Sequence, residues 1–581
     1  MRYKTIIVPI FLVLLIALVI YTRFVGLDWG LPYPMHPDER NMVISILQLD
    51  CKTVVFQECF NPHFFAYGQF PLYLTFIISM LVQPLLGEFE VLHFETVTLV
   101  LRSVSAIASL IMVFYLYKIL SYLFRLTRLQ SVMTVLLLTF IPAFIQFSHY
   151  GTTESLLMMF VSVLIYYSIL FVDQKIEMGK YVRIVGILLG IAFSTKVSAG
   201  LFASIPFFAL LFRMIDDRSW GDVGRYWFAL MKVAAFSIVF FIITSPFNII
   251  DWEGFVHSMN YESAVGLGIY KAFYTRQFEF TIPFLFQLIK ILPYTLGWPM
   301  YILSLLGLFL LPSRKHYNLM RLVFLVLFIP NAFMYAKWTR FIAPVFPIAV
   351  LLGTSFFYNL VKILPNVLAK PLLTIGTLVI IVPGIAYLTI YKTPDVRFVA
   401  SRWMYENISS STSILAETAN VVDVPIPSDL VDPETVFSTR LHPISFDFYE
   451  LDNNPDLSEE LKTDIYLSPY IFVPSRRIFW NHTCYVAENE EIVRNSYDSV
   501  GSGYETDRCN KLNEKYPLLN IYYEALFENQ LGYEKVAEFT SFPRIEFFGQ
   551  TIIEFPDEAA EETWTVFDHP VIRVYKRVNS P

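Results

Sequence analysis

The chain has 581 residues, of which 55% are hydrophobic, 17% aromatic and only 16% charged, with a formal net charge of −7 and a mean hydropathy of +0.52. So few charges cannot cover a soluble surface, so the composition excludes a purely soluble protein and indicates a polytopic membrane protein. The charge is acidic overall and no dense basic tract occurs, which excludes nucleic acid as the expected partner.

The length predicts two or more domains, and the sequence changes character once. Up to about Tyr391 it is a series of long apolar runs; from Lys392 onward it reads as a soluble protein. Residues 1–392 are therefore expected to form a transmembrane domain and 393–581 a separate α/β domain. The first run, "IIVPIFLVLLIALVIY", is longer than a signal core and has no small-residue cleavage site behind it, so it is expected to remain as a signal anchor.

Windows of about 20 apolar residues cross a bilayer. In chain order they fall at 5–22, 97–123, 131–147, 155–172, 184–193, 199–212, 227–244, 286–311, 319–335, 342–364 and 372–391, about 11 spans. The pair at 184–193 and 199–212 is read as two short helices joined at the polar "STKVS". One more stretch, "PLYLTFIISMLVQPLLG", would make a twelfth crossing. Counting it as interfacial and the N-terminus as cytoplasmic places Arg125, Arg128, Lys175, Lys180, Arg183, Arg213, Arg218, Arg225, Arg314, Lys315, Arg321, Lys362 and Lys370 in inner loops, where basic residues are favoured. Residues 26–96 then form one large outer loop with interfacial helices, and the C-terminal domain lies outside the cell membrane.

All four cysteines, Cys51, Cys59, Cys484 and Cys509, then face the extracytoplasmic side, where disulfides persist. Cys51–Cys59 and Cys484–Cys509 are expected as local pairs, with four free thiols as the other reading.

Ionisable groups at the ends of apolar helices cost several kcal/mol unless paired or solvated, so each is a functional candidate. Asp38, Glu39, His63, Tyr67, Arg102, His149, Glu154, Lys196, Lys337 and Arg340 all fall at expected outer ends. Bland readings exist for the strongest. Asp38–Glu39 after Pro37 suits a helix start, and Lys196 suits a snorkelling lysine. Acids and cations gathered on one outer face fit sugar transfer from a lipid phosphate. A carboxylate removes the acceptor proton, and lysine or arginine holds the departing phosphate.

"HPDER", "NPHFFAYGQFPLYL", "LRSVSAIASL", "FSHYGTTESLLM", "GIAFSTKVSAGL" and "RFIAPVFPIAVLLG" occur in that order. Together they resemble the lipid-carrier-dependent glycosyltransferases of the GT-C fold, nearest to the protein O-mannosyltransferase and aminoarabinose transferase families in prokaryotic form, over 31–353. The resemblance implies a polytopic α-helical fold, a polyprenyl-phosphate sugar donor, inversion at the anomeric carbon, and transfer to a protein, lipid or glycan on the outer face. It implies Asp38 as the base, with Glu39 beside it and Glu154 as a further carboxylate. Lys196 is implied on the carrier phosphate, with Arg102 and Arg340 as recurrent arginines. His36, His63, Tyr67 and His149 are assigned to substrate binding.

Two features depart from these families. Where aminoarabinose transferases carry a "KPPLYYW"-like lysine this chain has "GQFPLYL", so His63 or Arg40 would have to supply the missing cation. The "HPP" element and inserted lumenal domain of eukaryotic O-mannosyltransferases are also missing. Distant relatives bind a divalent cation through paired acids; "HPDE" with one further acid is not two DxD motifs, so no metal or other cofactor is expected.

In the C-terminal domain "SILAET", "IYLSPYIFVPS" and "PVIRVYKRV" read as strands and "NIYYEALFENQL" as a helix. No phosphate loop, nucleophile elbow or zinc spacing occurs there, so separate catalysis is not expected. The rival reading from another class is a transporter or flippase for an anionic or lipid-linked cargo, which normally shows internal repeats with interrupted helices. No such repetition is visible.

Overall fold

A computed structural model describes residues 2–49, 59–86, 92–217, 223–417, 422–431, 441–483 and 502–578. The apolar runs form helices α1 (Arg2–Phe24), α4 (Phe94–Phe124), α5 (Arg128–Thr139), α6 (Pro142–His149), α7 (Glu154–Val172), α8 (Met178–Phe193), α9 (Ser204–Asp216) and α10 (Val223–Thr244). Further apolar helices follow at Trp298–Leu310, Lys315–Phe333, Phe346–Ile363 and Asn366–Tyr387. In the loop after α1 lie α2 (Pro37–Leu47) and α3 (Gln69–Val82).

Among the described residues seven helices are long and apolar enough to cross a membrane, or up to nine if each bent pair is one span. These figures do not confirm the expected count of 11. α8 has only 16 residues, and the run at 286–311 is broken, with Gln287–Leu296 and Trp298–Leu310 meeting at 116°. The break falls at Gly297, whose φ of 75° is open to glycine and strained for other residues. α3, at 14 residues, extends only about 21 Å at 1.5 Å per residue, short of the roughly 30 Å hydrocarbon core.

Helix contact in lipid depends on close backbone approach more than on hydrophobicity. Gly186 and Gly190, one turn apart on α8, let α10 approach so closely that a Cβ on Gly190 would lie 2.5 Å from the Ser237 carbonyl oxygen. α4 and α7 form the centre of the bundle, with their buried Val, Leu and Ile residues in one continuous apolar core.

The two ends of the bundle differ in chemistry. At one, loop charges pair with one another: Tyr122 donates to Asp173 at 2.8 Å, His316 meets the same carboxylate at 2.8 Å, and Arg213 pairs with Asp217 at 3.0 Å. The other end carries α2, the starts of α4 and α7, and the C-terminal domain.

That domain contains a five-stranded mixed sheet in the order β2-β1-β3-β7-β4. Its strands are β1 (Ser413–Glu417), β2 (His442–Phe446), β3 (Tyr470–Val473), β4 (Tyr533–Phe539) and β7 (Ile572–Arg577); β5 (Arg544–Phe547) and β6 (Gln550–Glu554) form a separate hairpin. β1 runs parallel to β2 and β3, and β7 antiparallel to β3 and β4. The expected strand at 465–475 is shorter than read, because Ile465–Leu467 completes the helix Asp456–Leu467. Pro517–Phe527 is helical as expected. Cys59 and Cys509 are disulfide-bonded; Cys51 and Cys484 lie outside the described residues.

A strap between β6 and β7 clasps this domain to the bundle. His569 sits between two carboxylates, with Nδ1 2.5 Å from Asp568 and Nε2 3.1 Å from Asp557. Tyr391 donates to Asp568 at 2.6 Å and Gln146 to the Trp564 carbonyl at 2.8 Å. Burial opposes the imidazolium, but the charges of Asp557 and Asp568 outweigh it and raise the pKa of His569 from 6.5 to about 10. A pKa higher in the folded than in the unfolded state means that the stabilisation is fully present below 6.5 and is lost as pH rises through about 10. In detergent, thermal stability of the wild type should fall across that window, whereas His569→Gln should start lower and show a flatter profile. Equal slopes for the two proteins would exclude the clasp as the cause.

Candidate active site

The first turn of α2 sets the site. His36 caps it, Pro37 takes the first position, and Asp38 and Glu39 follow, where acids favour the positive helix end. Two consecutive helical side chains diverge by about 100°, so the acids part. Glu39 is buried and Asp38 half-buried.

Glu39 accepts a bidentate pair from Arg102 on α4, at 2.8 and 2.7 Å, and the Gly151 N–H at 2.7 Å. Arg102 also donates to the Leu27 and Trp29 carbonyls at 2.7 and 2.8 Å, and its guanidinium lies 4.4 Å over the Trp29 ring. Four of the five guanidinium donors are thereby taken up. The structure thus places Glu39 and Arg102 inside the protein as a brace joining α2, α4 and the loop after α1, and neither lines the cleft described next.

Asp38 instead forms an ion pair with Arg340, from the turn Thr339–Val345 that leads into Phe346–Ile363. Glu154, the first residue of α7, pairs with Lys196 at 3.2 Å. Lys196 follows the end of α8 in extended backbone, with its Nζ 5.0 Å from the Tyr67 ring and 5.6 Å from the Phe341 ring. Tyr67 is held there by a close approach: Gly68 and Phe70 donate to the Thr195 and Ser194 carbonyls at 3.0 and 3.1 Å. A Cβ on Gly68 would lie 1.9 Å from the Ser194 oxygen.

Asp38, Glu154, Arg340 and His36 line a cleft of about 290 Å³ counted to its solvent opening, closed on one side by Thr563 and Phe567 of the C-terminal strap. The Thr152 hydroxyl, also on the lining, is buried without a hydrogen-bond partner. Burial, reinforced by the charges of Arg340 and Arg102, pushes the His36 imidazole well below 6.5, so it is neutral. Its Nδ1 accepts the Glu39 N–H at 3.4 Å, leaving the proton on Nε2.

The remaining candidates lie apart. His149 is buried, stacked on Tyr391 at 3.8 Å, with its nitrogens 2.8 and 2.9 Å from the Ile145 and Val25 carbonyls. His63 is exposed on left-handed backbone. Arg40 is half-buried and, two positions beyond Asp38, points about 200° round the helix from it.

Sequence reasoning missed three residues. Glu561 of the strap accepts from the Thr339 N–H at 3.1 Å and hydroxyl at 2.8 Å, fixing the turn that presents Arg340. Phe567 packs 4.2 Å from the His36 ring. Glu262 lies within electrostatic reach of Lys196 and Tyr67. The dense acids of "DEAAEETW" were the available signal for Glu561.

Residues 89–249 match the family described as dolichyl-phosphate-mannose-protein mannosyltransferase. No curated protein sequence matches the chain. Among solved structures it is similar to ArnT from Cupriavidus metallidurans bound to undecaprenyl phosphate, with a TM-score of 0.45 and 14% identity over 80% of this chain and 92% of that one. It is also similar to the Archaeoglobus fulgidus oligosaccharyltransferase in complex with Zn and sulfate, with a TM-score of 0.43 and 11% identity over 81% and 69% of the respective chains. The family match runs from α4 through α10, the stretch that supplies Arg102, Glu154 and Lys196. Over residues 89–249 the chain is thus similar to the protein O-mannosyltransferases, in agreement with the resemblance carried by its ordered motifs.

Proposed function

We propose that the cleft transfers a sugar from a polyprenyl-phosphate carrier, with inversion, to a hydroxyl or amine of a protein, lipid or glycan acceptor on the extracytoplasmic side. The observation that carries this reading is the meeting of two acid–cation pairs from four segments of the chain: Asp38, Arg340 and Glu154 line one cleft, and Lys196 is joined to it through its ion pair with Glu154.

A phosphodiester-like donor brings negative charge that competes with the two carboxylates for the two cations. When the phosphate takes Arg340 and Lys196, Asp38 is released as a base. Asp38 then removes the acceptor proton while the acceptor lone pair attacks the anomeric carbon from the face opposite the phosphate. The carbon–oxygen bond to phosphate breaks, its electron pair stays on the phosphate, and the two cations stabilise the charge that grows there. Glu154 holds Lys196 in place and Glu39 acts through Arg102 as a positioning residue.

The extracytoplasmic placement is supported by the basic loops at the opposite end of the bundle and by the disulfide-bonded Cys59 and Cys509. The N-terminus would then be cytoplasmic.

Asp38→Asn should lower incorporation of label from a polyprenyl-phosphate sugar by about 10²–10⁴ while carrier binding changes little; undiminished transfer would remove Asp38 as the base. Lys196→Met should weaken donor binding and lower kcat/KM by about 10²–10³, and an unchanged donor KM would count against its phosphate role. Glu39→Gln should act on stability first, costing about 3–5 kcal/mol because it leaves Arg102 buried without its charge partner. A Glu39 variant with wild-type Tm and abolished transfer would contradict the positioning role.

A further inference from the structure

The hairpin of β5 and β6 stands outside the five-stranded sheet. Among the described residues its strands pair only with each other, Ile545 opposite Ile553 and Phe547 opposite Gln550. At the turn, Phe547 and Phe548 touch edge-to-face with ring centroids 4.5 Å apart, and they are 65% and 92% exposed; Ile552 and Ile553 are 58% and 53% exposed. Four large apolar side chains concentrated on one short element are too many for a surface meant to face water.

Polarity along the hairpin is graded. Its base is charged: Arg544 faces Glu554 across the strands and pairs with Glu546 at 2.5 Å. Its tip is aromatic. The base is held to the end of the last apolar helix, where the Arg544 N–H donates to the Thr389 hydroxyl at 3.3 Å, and β5 packs against Asn366–Tyr387. That helix qualifies as a membrane span and exposes Ile375, Leu378, Val379 and Ile385 outward. The hairpin therefore lies beside a helix that carries exposed apolar side chains suited to lipid.

We infer that the tip of the β5–β6 hairpin inserts into the lipid bilayer beside the helix Asn366–Tyr387 and anchors the C-terminal domain to the membrane surface. The depth is limited by the backbone: hairpin edges carry unpaired N–H and C=O groups that hydrocarbon cannot satisfy. The rings and isoleucines therefore reach the boundary of headgroups and acyl chains, a depth favoured by apolar side chains on amphipathic elements, while Arg544, Glu546 and Glu554 remain in water. β6 leads directly into the strap that closes the cleft, so the anchor ties the position of that wall to the lipid surface.

The test is spin-label accessibility in the full-length protein reconstituted in liposomes. A nitroxide on Phe548→Cys should collide more with dissolved oxygen than with a water-soluble nickel chelate, resembling a label on the lipid-facing Ile375→Cys. A label on Glu460→Cys, exposed in the C-terminal domain, supplies the aqueous reference, and unmodified protein supplies the background. A 548 label that behaves like the one at 460 overturns the inference. So does protection from both reagents, which would mean that protein covers the tip, with spin–spin broadening identifying a second copy of this chain. A second measurement uses the wild-type side chains. Phe547→Ser/Phe548→Ser should make the linker after β6 more accessible to protease in liposomes and change nothing in detergent; equal cleavage of both proteins in liposomes again overturns it.

Discussion

Burying a carboxylate close to a bilayer costs several kcal/mol, and the cost is tolerable only when a cation and hydrogen-bond donors surround it. Glu39 meets that condition through Arg102 and the Gly151 N–H. Because Arg102 also binds the Leu27 and Trp29 carbonyls, one ion pair fixes the start of α2 against α4 and against the chain that leaves α1. Asp38 is one residue away on the same helical turn, so its direction is set by the burial of its neighbour. The half-buried acid at the cleft depends on the fully buried acid behind it.

The same logic extends to the C-terminal domain. His569 between Asp557 and Asp568, the Tyr391 and Gln146 hydrogen bonds, and Glu561 on the Thr339 turn all belong to one strap. These contacts make Thr563 and Phe567 part of the cleft wall. The C-terminal domain thus contributes part of the wall beside Asp38 and Arg340.

Legibility followed the range of the interaction. Helix positions were readable because apolar length is a local property: 155–172 was expected and Glu154–Val172 is found. The exact number of spans is not confirmed, since α8 is short and the run at 286–311 bends at Gly297. Asp38, Glu154, Lys196 and Arg340, which form two ion pairs at the candidate cleft, were readable as costly charges at helix ends. His149 carried the same signal but is used in packing against Tyr391, since a buried histidine in a core and one in a site look alike in a sequence. Glu561 was not found because its partner, Thr339, is more than 200 residues away and its surroundings are polar.

By itself the amino-acid sequence determined the class of molecule, the order of its membrane segments, the soluble α/β appendage and the short inventory of ionisable groups. Each follows from composition or from periodicity within about 20 residues, the span needed to cross hydrocarbon. Only the tertiary structure decided which acid pairs with which cation, and so separated Glu39, as a brace, from Asp38, at the cleft. It also brought the strap onto the bundle. Those choices depend on distances between segments separated by tens to hundreds of residues, and no local pattern encodes a distance of that kind.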